Sequence, residues 1–145
     1  MSDNNEQQAI DADEWVKKIH GELLSYCSRS GLEISSIEQE QSAILPPAVG
    51  VWLVVSKAQN QKYWVITGDL PYDHIVADSA KNARDAIRHF VLRWQLKAEN
   101  IIQLRDNPKT AAKVDDKQVE FAEVLINTAN GLYDLCEKDE LWKNR

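Results

Sequence analysis

Apolar residues recur every third or fourth position from Asp13 onward. Trp15, Ile19 and Leu23 stand four apart with Val16 and Leu24 beside them, the broad stripe of an amphipathic helix. Asp11 or Asp13 can accept hydrogen bonds from the first-turn amides, and Gly31 supplies a left-handed stop after Arg29 and Ser30. The spacing predicts a helix over about 13–29. The period then changes. Ile34, Ile37 and Ile44 alternate imperfectly with Ser, Glu and Gln across 32–45, as in a half-exposed strand that Pro46-Pro47 ends. Val49–Ser56 (VGVWLVVS) and Lys62–Thr67 (KYWVIT) are dense in β-branched and aromatic residues and predict two more strands. The connection KAQNQ between them is polar and of hairpin length. Trp52 and Trp64 are expected on one face, with Val54 and Ile66 as neighbours. The opposite parity is also largely apolar, so the sheet wants cover on both faces, and helices from the two ends of the chain are expected to supply it.

Gly68-Asp69-Leu70-Pro71 breaks the last strand, and a loop is expected through Ala77. Asp78 or Ser79 is expected to cap a long helix over 79–105 with apolar positions Ala83, Ile87, Phe90, Trp94, Ala98 and Ile101. Val91, Leu92, Leu96 and Ile102 widen that stripe. At 1.5 Å per residue the helix would be about 40 Å long, so it must bend, break or project an end. A final helix is predicted from about Asp115, with Phe121, Leu125, Ala129, Leu132 and Cys136 on its buried face. The expected fold is α+β: a small three-stranded antiparallel sheet packed by an N-terminal helix and two C-terminal helices, in the order α-β-β-β-α-α. Residues 13–145 are expected to form a single domain, and residues 1–12 a disordered or frayed N-terminus.

Composition narrows the function more than the fold. The 145 residues are 43% hydrophobic and 28% charged, ordinary values for a globular chain. The net charge of −6 disfavours a protein that works by neutralising phosphates, so no nucleic-acid partner is expected. No apolar run is long enough to span a membrane. The N-terminus has neither a basic start nor an apolar stretch, and the two cysteines, Cys27 and Cys136, lie far apart, so a cytoplasmic protein with reduced thiols is expected. Charge is segregated: residues 1–45 carry three basic and nine acidic side chains, 46–113 ten and six, and 114–145 four and eight. Acidic ends flanking a basic middle can attract one another or present a charged face to a partner.

Chemistry gathers at one place. GDLPYDHI, Gly68–Ile75, combines turn residues, two carboxylates and a histidine at a strand end. Asp69, Asp73 and His74 suggest a metal or a proton relay. Only one histidine is local, however, and an Asx-type turn explains Asp69 more simply. Asp85, His89 and Arg93 form a row along the long helix, which favourable i,i+4 pairing explains without catalysis. Lys81, Arg84, Arg88, Arg93 and Lys97 make its outer side basic, suited to docking an acidic helix. Trp15, Trp64 and Trp94 read as core, whereas Trp142, near the end of the chain, has less reason to be buried and is a candidate anchor for a partner. No nucleophile elbow, P-loop, dinucleotide fingerprint, H-E-x-x-H or C-x-x-C occurs.

The stretch YWVITGDLPYDHI, followed by ARDAIRHFVLRWQLKAE, resembles a small gammaproteobacterial family described as a domain of unknown function, with members of about this size and a shared GDLPxDHI-type segment. The resemblance runs over about 51–100. It implies no activity, cofactor or catalytic residue, and marks the Gly68–Ile75 loop and the following helix as the family's defining unit.

These readings converge on a non-catalytic cytoplasmic binding, adaptor or regulatory protein, with another protein or a second copy of the chain as partner. Its expected binding residues are Asp69, Tyr72, Asp73, His74, Arg84, Arg88, His89 and Trp142. No cofactor, resident metal or membrane is expected. The alternative is a metal-assisted enzyme centred on the Gly68–Ile75 loop.

Overall fold

The computed structural model describes residues 2–46, 48–58 and 61–143. The expectations for Pro47 and for Gln59 and Asn60 within the KAQNQ connection lie outside the described residues. Two compact units divide the chain, residues through 86 and residues 87–143.

The first unit opens with α1, Ser2–Arg29, which starts ahead of the periodic stretch that predicted it. It ends as the sequence implies. Gly31 adopts φ 78°, the amide of Leu32 donates to the Cys27 carbonyl at 2.8 Å, and that of Gly31 to Ser28 at 3.3 Å. These two bonds are the Schellman closure, which needs a residue free of a Cβ clash at positive φ.

The sheet is antiparallel but has five strands rather than the three expected: β1 Ile34–Ile37, β2 Ala43–Leu45, β3 Val49–Ser56, β4 Lys62–Gly68 and β5 Asp73–Val76. The predicted first strand is split in two. Both β1 and β2 pair with β3, along the edge that β4 leaves open, and Ser42 explains the interruption. Its hydroxyl donates to the Glu38 carbonyl at 2.9 Å and accepts the Leu53 amide at 2.9 Å, so a side chain stands in for a rung of the ladder. The fifth strand lies within the predicted loop. Asp73–Val76 pairs with Tyr63–Ile66, and its ladder bonds offset the cost of ordering it.

The register corrects the assignment of faces. Trp52 lies opposite Val65, and Trp64 opposite Leu53, so the two tryptophans point to opposite sides. The side bearing Trp52, Val54 and Val65 packs under Ile19, Leu23 and Cys27 of α1, with Trp15, Tyr26, Ile37 and Tyr63 half-buried around them. Each large side chain buried there contributes about 1.5–3 kcal/mol. The other side, with Val49, Val51, Leu53, Trp64, Ile66 and Ile75, is buried as well. Trp64 donates its indole hydrogen to the Ala80 carbonyl at 3.2 Å.

Helix α2, Ala83–Asp106, begins later than expected. Ala77–Ser79 is a 3-10 turn, and Asn82 rather than Asp78 or Ser79 caps the helix, its side-chain oxygen accepting the Asp85 amide at 2.9 Å. The helix is unbroken, and its 24 residues span about 36 Å. In the second unit it buries Ile87, Phe90, Trp94 and Ala98. Helix α3, Asp116–Cys136, buries Ala122, Leu125, Ala129, Leu132 and Cys136. Asp115 and Gln118 close a full capping box at its start, two first-turn donors being satisfied reciprocally. No described helix is long and apolar enough to cross a membrane.

Candidate functional site

The Gly68–Ile75 segment is shaped by backbone geometry first. Gly68 has φ 134°, and a Cβ there would fall 2.6 Å from the Ala48 carbonyl oxygen, so only glycine lets the chain turn against β3. Beyond Leu70 and Pro71 the chain re-enters the sheet as β5. His74 lies opposite Val65 and therefore faces α1, whereas Ile75 lies opposite Trp64 and faces the other way.

Helix α1 meets this segment with two residues one turn apart, Glu22 and Tyr26. The Tyr26 hydroxyl and His74 Nδ1 share a 2.7 Å hydrogen bond, and the Tyr72 hydroxyl donates to the Glu22 carboxylate. The rings of Tyr26 and Tyr72, Tyr26 and His74, and Tyr63 and His74 meet edge-on, 5.7–6.0 Å between centroids. Such pairs contribute about 0.5–1.5 kcal/mol each beyond area burial. Burial together with the Glu22 carboxylate pushes the Tyr72 phenol up to about 12, so it remains a neutral donor at ordinary pH. Asp73 accepts the His74 amide at 2.8 Å. Asp69 is exposed.

These contacts fasten the segment to α1. Asp73 bonds the amide of the next residue, His74, which fixes its own chain direction. Glu22 and Tyr26 are not among the site residues the sequence points to. Their i,i+4 spacing beside the buried Ile19–Leu23 stripe was the available signal. Among the described residues no three His, Cys, Asp or Glu side chains are grouped to hold a metal ion.

The second unit carries the other expected binding residues. Arg88 and His89 are exposed on α2, as are Arg93 and Lys97; Arg84, just before the boundary between the units, is half-buried. Two leucines stand out. Leu92 is 55% exposed and Leu96 58%, one turn apart. They do not widen the buried stripe as expected: each lies two residues from a buried one, Trp94 or Ala98, about 200° around the helix. Lys97 holds its ammonium 5.4 Å from the Phe121 ring centroid of α3, a cation–π contact.

Trp142 corrects its expectation outright. It is 8% exposed, and its indole donates to the Leu135 carbonyl at 3.4 Å, so it is a core residue of the second unit rather than a free anchor. The Leu135 carbonyl also accepts the Lys138 amide at 3.3 Å, so the indole is a second donor at the end of α3.

No curated protein and no solved structure matches the chain. The model of one family, Domain of unknown function (DUF4826), matches residues 6–142, taking in the flanking helices that the resemblance over 51–100 leaves out. A match over nearly the whole length decides the question: the chain belongs to the DUF4826 family.

Proposed function

We propose that this protein is a non-catalytic cytoplasmic binding or adaptor protein that works through protein–protein contacts, with the outer face of α2 as the contact. The observation that carries the reading is the pair Leu92 and Leu96, both more than half exposed among Arg88, His89, Arg93 and Lys97. Each leucine is already nearly half covered, so completing its burial gains about 1–1.5 kcal/mol apiece. The surrounding basic groups favour a partner segment that is acidic and amphipathic, and they speed its approach. A nucleic-acid partner remains disfavoured by the net charge of −6.

Affinity capture from native lysate, comparing the wild type with the double variant Leu92→Asp/Leu96→Asp, tests the proposal. Both positions are exposed, so the variant should fold, as circular dichroism would verify. A partner captured by the wild type and lost from the variant supports the reading; equal capture by both overturns it. Light scattering on the same samples shows whether the partner is a second copy of the chain.

The metal-assisted alternative at Gly68–Ile75 gains no specific support. The Tyr72, Asp73 and His74 groups it would use hold the segment to the helix and to its own backbone.

A further inference from the structure

Where Ser42 splits the sheet edge, a groove of about 560 Å³ opens between α1 and the strands, within the 300–1,000 Å³ range usual for small-molecule sites. Its walls are Val16 from α1, Ile37 at the end of β1 and Ile44 in β2, all half-buried. Trp52 forms the floor. Gly50 makes that floor possible: a Cβ there would fall 2.8 Å from the Ile19 methyl and 2.9 Å from the Trp52 indole nitrogen. The indole is fixed by donating to the Thr67 hydroxyl at 2.9 Å, and the His20 ring meets it edge-on at 5.8 Å.

The polar groups divide by depth. In the interior, the Trp52 indole hydrogen and the Ser42 hydroxyl are both engaged within the fold, so the floor asks for no polar ligand atom. Among the described residues, the other polar groups lining the groove are Lys17, His20 and Gln39, which are exposed, and no carboxylate lines it. A hydrocarbon body fits the interior, and an ammonium at the mouth complements an anionic head.

We infer that this groove is a binding site for a free aliphatic carboxylate, its chain lying along Val16, Ile37, Ile44 and Trp52 and its head at Lys17. The site is separate from the α2 surface, and its test does not depend on that reading.

Decanoate and decanol, kept below their aggregation limits, serve as probes. Amide and indole NMR shifts of the ¹⁵N-labelled full chain are followed, with the Trp52 indole signal assigned through Trp52→Phe. A saturable decanoate shift of that signal is expected. Lys17→Glu should weaken decanoate at least about tenfold, the size of one charge-assisted contact, and leave decanol within about twofold. Ile44→Trp, which fills the groove, should abolish the shift with either probe. No saturable shift in the wild type overturns the site, and so does a shift that survives Ile44→Trp in a folded variant. Equal weakening of both probes by Lys17→Glu overturns the carboxylate assignment.

Discussion

At Tyr72 a phenol is held between helix and loop, and its behaviour follows from what surrounds it. Burial and the neighbouring Glu22 carboxylate raise it from the ordinary value of 10 to about 12, favouring the neutral form in the folded state. The unfolded chain releases that proton near 10 while the folded chain keeps it. The stabilisation is therefore fully present below pH 10 and is lost as pH climbs through 12. We expect Tyr72→Phe to be less stable than the wild type at neutral pH, because the bond to Glu22 is gone. The gap should narrow between pH 10 and 12, and ultraviolet phenolate titration should lose its highest step. A gap constant across that window would mean Tyr72 is not tied to Glu22. GDLPYDHI was conspicuous in the sequence, yet Glu22 and Tyr26 were not, since their partners lie 50 and 48 positions away. Single-residue chemistry is readable locally; pairing across the fold is not.

At the scale of elements, periodicity located all three helices and the two long strands, because both depend on neighbours within one or two turns. It missed β2 as a separate strand and β5 altogether. A three-residue strand and a four-residue one are too short for alternation to register, and each exists because β3 or β4 offers an open edge. Ser42 is where that edge is decided. Ser42→Ala should leave the buried Leu53 amide without its acceptor and cost about 1–3 kcal/mol in urea denaturation. Faster hydrogen exchange at Leu53 should accompany the loss, and unchanged stability would show that backbone pairing alone holds the two short strands in line. The α2 stripe carries a similar lesson. Apolar character alone counts Leu92 and Leu96 into the stripe, although their angular position on the helix puts them opposite Trp94 and Ala98.

At the scale of the whole molecule, charge segregation acquires a use if α2 meets an acidic partner. Raising ionic strength from about 0.05 to 0.3 M shortens the reach of charge from roughly 14 to 6 Å. It should slow association with the captured partner markedly while changing dissociation little; salt-insensitive association would leave the leucines alone as the contact. The sequence by itself determined the class of the fold, the helix at each end, the two central strands, the closure at Gly31 and the prominence of Gly68–Ile75. Each of these is written in the spacing of apolar residues or in the backbone freedom of one residue. Only the tertiary structure decided which way each tryptophan faces, that Trp142 is buried, that His74 meets Tyr26, and that a groove lies over Trp52. Those outcomes depend on strand register, where a shift of one position exchanges the two faces, and on residues that folding brings together from distant parts of the chain.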